Sequence, residues 1–490
     1  MLCLIAALQI STSLQQLREG LGKDVQVLRQ AYTQLHPGLY RYNTPESMEQ
    51  EFQKLSARFS VANSLKEAYV DLSLFTASVR CGHTYPNFFN QDKDVVKELF
   101  TGQNRLPIHF WWLDRKMIVT DDLTLDHLLP NGTEIQSIDG IPCSTILPRM
   151  MKIARADGGN NAKRISILNV DGREKYEAFD IYLPMLFTIP SGSFQLTVKR
   201  VTGKVSTVTV SALSMEDRIN DAKQQALKIS KSGDRWSFDF IEGNIGRLVM
   251  PSWVMYDEAW DWKAYLAKTF RTLTDSKAKA LIIDLRGNEG GSAVGEELCS
   301  YLVDRPTKFE QYKLYTRYTK APSDLRPYLD TWDRSFDDWS QWSAPAAYVK
   351  AGRNEFHRMK RFDDVDRSVI QPSANRFRGK VLVLVDSSNS SATFEFENMV
   401  QSHHLATLIG EPTGGNQRGI NGSAFYFLYL PNSKLEVDLP LVGQFSEMNM
   451  PDKGLTPEIL VKPTVSEIAA GRDSVLERAI HLAGSAPEIR

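Results

Sequence analysis

Apolar residues recur at intervals of three and four along the first eighty positions of the chain. Leu21, Val25, Leu28 and Leu35 form one set, Met48, Phe52, Leu55 and Phe59 a second, and Ala68, Tyr69, Leu72, Phe75 and Val79 a third. Such spacing gathers each set on one face of an amphipathic helix. The pattern predicts a helical N-terminal domain over 13–100, interrupted by His36-Pro37-Gly38, whose third helix runs into Cys81-Gly82-His83-Thr84. Over 101–215 the texture changes to short β-like runs (IHFWWL, RKMIVT, EIQSIDGIP, SFQLTVKR, KVSTVTVSAL), punctuated by Asn131-Gly132, Asp139-Gly140 and Asp171-Gly172. That alternation with turn dipeptides predicts a β-rich module.

The remainder, 216–490, reads as α/β. IGRLVMPS, KALIIDLRG, GKVLVLVDSS and HLATLIGEP are apolar strands, and AVGEELCSYLV and SSATFEFENMVQSHH are helical runs between them. Strand, turn, helix and strand in succession predict parallel pairing with crossover helices. An insertion at about 305–377, rich in Trp, Tyr, Asp and Arg, has no clear period. It fits equally a lid over a cleft and a packed subdomain.

Composition narrows the classes. The 490 residues carry a net charge of −1 with 42% apolar and 24% charged residues, so no nucleic-acid or anionic-membrane partner is indicated. The eight histidines show no metal-ligand spacing with cysteine, and Cys3, Cys81, Cys143 and Cys299 lie far apart, as buried free thiols do. The opening MLCLIAALQISTS is too short to span a bilayer. Residues 1–12 are either a truncated secretory signal without its basic start or the beginning of the first helix. The first alternative carries an expected periplasmic or secreted location.

Three segments offer chemistry. Ser391 follows the buried run Val381–Val385 and the turn Asp386-Ser387-Ser388-Asn389-Ser390, and it opens a helix. Ligands bind beyond the carboxyl ends of strands in open α/β sheets, and a helix N-terminus suits a developing oxyanion. The same serines are also good N-caps, so both roles stand open. Asp284-Leu285-Arg286-Gly287-Asn288-Glu289-Gly290-Gly291 is a buried strand entering a glycine turn; it is neither GxGxxG nor a P-loop, and it fits a plain tight turn as well as a close approach to a ligand. His83, behind Gly82, is a base if a nucleophile lies within reach and a structural histidine if not.

Taken in order, GlyHisThr at 82–84, EIQSIDGIP, IIDLRGNEGG, SSATFEF, GEPTGGNQRG and GLTPEILV resemble the tail-specific (C-terminal processing) serine peptidase family over most of the chain. The resemblance implies a crotonase-like (ClpP-like) α/β core, a PDZ-like module engaging polypeptide, and peptide hydrolysis without a cofactor. It implies Ser391 as nucleophile and the N–H groups of Gly290 and Ala392 as the oxyanion hole, with Gly291, Gly415 and Asn416 contacting substrate. One branch of the family uses a lysine where this chain has Asn416. The other, tricorn-like branch uses an N-terminal histidine, matched by His83, and a C-terminal acid, for which Asp452 stands where a glutamate is usual. Glu395 and Glu397 compete for that acid role, and Gly82 replaces a serine found beside the histidine in some members. The resemblance leaves room for a homo-oligomer, since tricorn-like relatives form hexamers. The departures beside His83 and at the acid keep an alternative function open, a catalytically inactive peptide-binding pseudoenzyme of the same fold.

Overall fold

The computed structural model describes residues 2–229, 235–255, 260–309, 312–345, 356–362 and 369–484. Helices α1 (Leu2–Leu35), α2 (Pro45–Phe59) and α3 (Leu65–Val79) follow the three apolar sets, and a short α4 (Lys93–Leu99) comes after them. Thr44 caps α2 through a reciprocal bond pair with Ser47, and Pro45 occupies the first helical position, where its missing N–H costs nothing. Arg80 closes α3 in the left-handed region at φ 60°. The chain there turns sharply into the His83 loop.

An antiparallel sheet follows, of β1 (Ile108–Leu113), β2 (Lys116–Asp122), β3 (Glu134–Ile138), β4 (Ile141–Pro142), β5 (Ser193–Lys199) and β6 (Val205–Ser211). Its order is β1-β2-β3-β5-β6, with β4 paired to β3 alone. Helices α5 (Cys143–Met150), α6 (Asn161–Ser166) and α7 (Ala178–Leu186) lie between β4 and β5, and α8 (Met215–Ile229) leads out.

The α/β part is built on β7 (Ser237–Ile241), β8 (Ile245–Val249) and β9 (Ala280–Asp284), with α9 (Trp262–Asp275) before β9 and α10 (Val294–Ser300) after it. The insertion contributes β10 (Lys313–Tyr315), β11 (Leu329–Asp330), β12 (Ser343–Pro345) and β13 (His357–Met359). The chain then returns through β14 (Lys380–Val385), α11 (Ser391–Ser402), β15 (Thr407–Gly410), β16 (Asn421–Tyr429), β17 (Glu436–Phe445) and β18 (Ile459–Leu460). The central sheet runs β18-β15-β14-β9-β8-β7, parallel throughout except for β7 against β8. Leu281 and Ile283 pack with Leu266, Phe270 and Phe394 on one face, and Ala280 and Ile282 pack with Val475 and Ala479 on the other. Burial on both faces explains why these strands are continuously apolar.

Two features differ from the sequence expectation. A single apolar core runs from Leu21 and Phe52 through Phe110 and Ile138 to Tyr426 and Leu439, so no packing boundary separates 13–100 from 101–215. The segment after β15 leaves the α/β pattern: β16 and β17 pair antiparallel, and β10 and β11 of the insertion add to their edges in the order β10-β17-β16-β11. The described part of the insertion is therefore sheet-bound, whereas 346–355 and 363–368 lie outside the described residues. Every residue of β17 is buried, including Glu436 and Asp438, which alternate with Val437 and Leu439. No helix among the described residues is long and apolar enough to cross a membrane.

The β9–β14 register pairs Leu384 with Asp284, so both turns leave the same edge of the sheet side by side. Asn389, fully buried, joins them: its amide donates to Leu285 O at 2.5 Å and Asn288 O at 3.1 Å, and its Oδ1 accepts from Asp386 N at 2.7 Å. Asn389→Ala strands these groups and should lower stability by about 2–3 kcal/mol, read from the midpoint of urea unfolding. A shift equivalent to less than about 0.5 kcal/mol would mean that strand pairing alone holds the turns.

Candidate active site

The serine turn is held from several sides. Asp386 accepts from Ser388 N at 2.9 Å and from Gly287 N at 2.9 Å, and Ser387 Oγ donates to Pro412 O at 2.9 Å. Ser390 takes the N-cap position of α11, but its side chain makes no capping bond; its hydroxyl donates to Glu289 O at 3.2 Å instead. Ser391 then enters the helix at φ 53°, a left-handed conformation that costs a non-glycine residue ~1–2 kcal/mol. A serine held in this way on a sharp strand-to-helix turn has its hydroxyl pushed out of the helix surface, the geometry used to present a nucleophile. Among the described residues, Ser391 Oγ has no hydrogen-bond partner. Capping is therefore not what this hydroxyl does.

The glycine turn lies directly against it. A Cβ on Gly290 would meet Ser391 Cβ at 2.8 Å, Ser390 O at 2.8 Å and Ala392 N at 3.0 Å, and Gly290 has φ 100°. A Cβ on Gly291 would strike the Trp253 carbonyl at 2.3 Å, at φ 135°. Both positions thus require glycine for space and for conformation. The N–H of Gly290 donates to Asn288 Oδ1 at 2.9 Å, and Thr393 Oγ1 donates to the same oxygen at 2.9 Å. That amide is occupied, which argues against Gly290 itself as an oxyanion donor. Gly291 and Ala392, both half-buried, are the neighbouring amides with no acceptor among the described residues.

His83 sits on the turn that follows α3, where Thr84 N donates to Cys81 O at 3.2 Å. The peptide before it is clamped from both sides. Gly82 N donates to Asp157 Oδ1 at 2.9 Å, and Arg155 Nη1 donates to Gly82 O at 2.8 Å. A Cβ at position 82 would meet Asp157 Oδ2 at 2.6 Å, so the serine found here in some relatives has no room without a shift. Burial pushes the His83 imidazole below its ordinary value, with the Asp157 carboxylate opposing it. His83 Nδ1 has no hydrogen-bond partner among the described residues. One face of its ring meets Phe425 at 5.8 Å between centroids, and Trp332, 60% exposed, lies 5.6 Å beyond Phe425.

The acids expected to orient the imidazole are engaged elsewhere. Asp452 accepts from Arg80 Nη2 at 2.9 Å, Gly159 N at 2.8 Å and Asn416 Nδ2 at 2.8 Å. These donors, against the cost of burial, hold its carboxyl below the usual range. Glu395 accepts from Gln444 Nε2 at 2.5 Å. Glu397 is wholly buried with both oxygens unpartnered, and burial pushes its carboxyl well up. None of the three bonds to His83; Asp157 is the carboxylate whose charge bears most on it. Two of the expected substrate contacts are likewise occupied. Asn416 is fully buried, its amide given to Asp157 O and Asp452, and Gly415 packs against the Phe394 ring.

A third contribution comes from residues that no sequence motif marked. Lys163 Nζ donates to Ser388 O at 2.7 Å and pairs with Glu289 Oε1 at 3.0 Å, while Arg155 Nη2 pairs with Glu289 Oε2 at 2.7 Å. Burial pushes the Glu289 carboxyl up, but the two cations outweigh it and hold it at about 2. The available signal was a polar island, Arg155-Ala156-Asp157-Gly158-Gly159-Asn160-Asn161, directly after an apolar helical run. Among the described residues no group of three His, Cys, Asp or Glu side chains is placed to hold a metal ion. Gly290→Ala should reduce turnover at least ~100-fold, because it drives a methyl into Ser391 and the adjoining amide. Retention of more than about half the wild-type turnover would separate this turn from the chemistry.

Comparison with known proteins bears on family and fold. Residues 244–460 match the model of peptidase family S41, a segment that contains the glycine turn and Ser391 but not His83, Arg155 or Lys163. No curated protein matches the chain. Among solved structures, mature CPAF in complex with lactacystin aligns at TM-score 0.64 and 16% identity, over 95% of this chain and 98% of its own. A mutant of CPAF aligns at TM-score 0.65 and 16% identity, over 97% and 99%. The fold is thus shared with CPAF over nearly the full length of both chains. Residues 244–460 are thus similar to peptidase family S41, and that match indicates a serine peptidase hydrolase.

Proposed function

We propose that the chain hydrolyses peptide bonds of polypeptide substrates through an acyl-enzyme on Ser391, with His83 as general base. The observation that carries this is the left-handed Ser391, its hydroxyl unbonded, pressed against the Gly290–Gly291 turn. In this reading neutral His83 removes the hydroxyl proton as Oγ attacks the carbonyl, and returns it to the leaving amine. The free amides of Gly291 and Ala392 receive the oxyanion, each donor of this kind being worth ~3 kcal/mol of barrier. Asp157 steadies the imidazolium by its charge. The Phe425–Trp332 wall beside the imidazole offers an apolar surface to a substrate side chain.

The same reading takes the central sheet as a crotonase-like core and the β1–β6 sheet as a PDZ-like module of a tail-specific enzyme. Strand β6 pairs only with β5 and is mostly exposed, so its free edge suits an extended peptide added as a further strand. A second reading, the peptide-binding pseudoenzyme, draws on one observation: no hydrogen bond joins Ser391 to His83, and Nδ1 of the imidazole is unpartnered. Apo catalytic bonds are often long, and they tighten with substrate.

Turnover of an unstructured polypeptide separates the two. Ser391→Ala should abolish it, and His83→Ala should lower kcat by ~10²–10⁴. A base must be deprotonated to act, and burial lowers the affinity of His83 for its proton. The acid limb of kcat/KM should therefore have its midpoint below ~6.5, with activity rising through it as pH rises. No hydrolysis by folded wild type would favour the pseudoenzyme, and equal, measurable hydrolysis by wild type and Ser391→Ala would remove Ser391 as the nucleophile. A midpoint well above 7 would remove His83 as the base.

A further inference from the structure

We propose that Arg155 and Lys163, both held by Glu289, are positioning residues that set the His83 loop against the Ser391 turn. This rests on the Ser391–His83 reading above. The two loops belong to different parts of the chain, and among the described residues no hydrogen bond joins them directly. The connection runs through side chains. Arg155 uses one guanidinium arm on the carbonyl of Gly82, next to His83, and the other on Glu289, next to Gly290. Lys163 uses its ammonium on the same carboxylate and on the carbonyl of Ser388, three residues before the nucleophile. One carboxylate in the glycine turn thus ties down two cations, one reaching toward the base and one toward the serine.

The parts are chemically suited to fixed distances. A guanidinium is a planar fork with arms at a set angle, so it spans two acceptors in a fixed geometry, whereas an ammonium donates to several acceptors without fixing the angle between them. The Tyr85 ring lies under the Arg155 guanidinium at 4.5 Å and limits rotation of that plane. The Lys163 side chain is 2% exposed and the Arg155 side chain 21%, while the shared Glu289 carboxylate is 41% exposed, so the cations are better shielded than their common partner. Arg155 and Lys163 both come from the segment 155–166, which also donates from Ser166 Oγ to Ser387 O at 2.9 Å and from Asn160 Nδ2 to Thr413 O at 2.9 Å. That segment is a brace laid across the two turns.

The test measures the fluorophosphonate labelling rate, and kcat and KM on an unstructured polypeptide, for wild type, Arg155→Gln, Arg155→Lys and Glu289→Gln. A misplacement of about 1 Å in such a pair costs ~100-fold, so the two Gln variants should lose ~10–100-fold in kcat and labelling rate with KM within about threefold. Arg155→Lys should recover part of the loss. The charges of these groups act on His83 in opposite senses, Arg155 disfavouring its protonation and Glu289 favouring it. The acid limb should therefore move to higher pH in Arg155→Gln and to lower pH in Glu289→Gln, a split that general destabilisation does not produce. Glu289 is 41% exposed at its side chain, so its amide variant carries the test if Arg155→Gln folds poorly. Failure of wild type to label would sink the Ser391–His83 reading itself. Labelling of folded Glu289→Gln and Arg155→Gln at the wild-type rate, with both acid limbs unmoved, would overturn this inference alone.

Discussion

Parallel pairing of β9 with β14 is the constraint from which the site follows. Because Leu384 stands opposite Asp284, the two strands end together, and the chain must turn twice within a few ångströms. The buried Asn389 fastens one turn to the other, and Asp386 reaches back to Gly287 N. Two glycines then let the first turn pass under the second without a Cβ between them. The strain at Ser391, ~1–2 kcal/mol by its φ, persists because both turns are over-determined by these bonds. Ser391 and the amides of Gly291 and Ala392 are thus brought together by the sheet alone.

His83 arrives by a different route. His83 is carried on the end of a helix whose partners belong to the N-terminal core, and nothing in the central sheet holds it. Its approach depends on polar contacts across a seam: Asp157 and Arg155 on Gly82, Glu289 on Arg155, Lys163 on Glu289. Such contacts are directional and rigid when shielded from water, and they are the natural way to hold a geometry that apolar packing leaves loose. The segment 244–460 that matches peptidase family S41 contains Ser391 and the glycine turn, and His83 lies outside it.

The sequence made the first half legible and most of the second illegible, for reasons of range. Ser391 and Gly290–Gly291 each follow a run of apolar residues that only a doubly buried parallel strand requires, so pattern and position coincided. The amphipathic spacing of α1, α2 and α3 was equally local. By contrast, the contacts of Arg155 span 73 residues to Gly82 and 134 to Glu289, and no periodicity carries such information. Asp452 illustrates the same limit of range. Its neighbourhood resembled an acid position, but in space Gly159, Asn416 and Arg80 take its oxygens. In β17, Glu436 and Asp438 alternate with Val437 and Leu439, but both acids are buried, so the polar positions mark no solvent face.

Ser387, Ser388, Ser390 and Ser391 share the same turn, and the proposed mechanism needs Ser391 alone as nucleophile. Peptide mapping of the protein after reaction with a fluorophosphonate locates the phosphonylated residue. A single adduct on Ser391, formed faster as His83 loses its proton, is expected. An adduct on Ser387, Ser388 or Ser390, or one spread among the four, would contradict it.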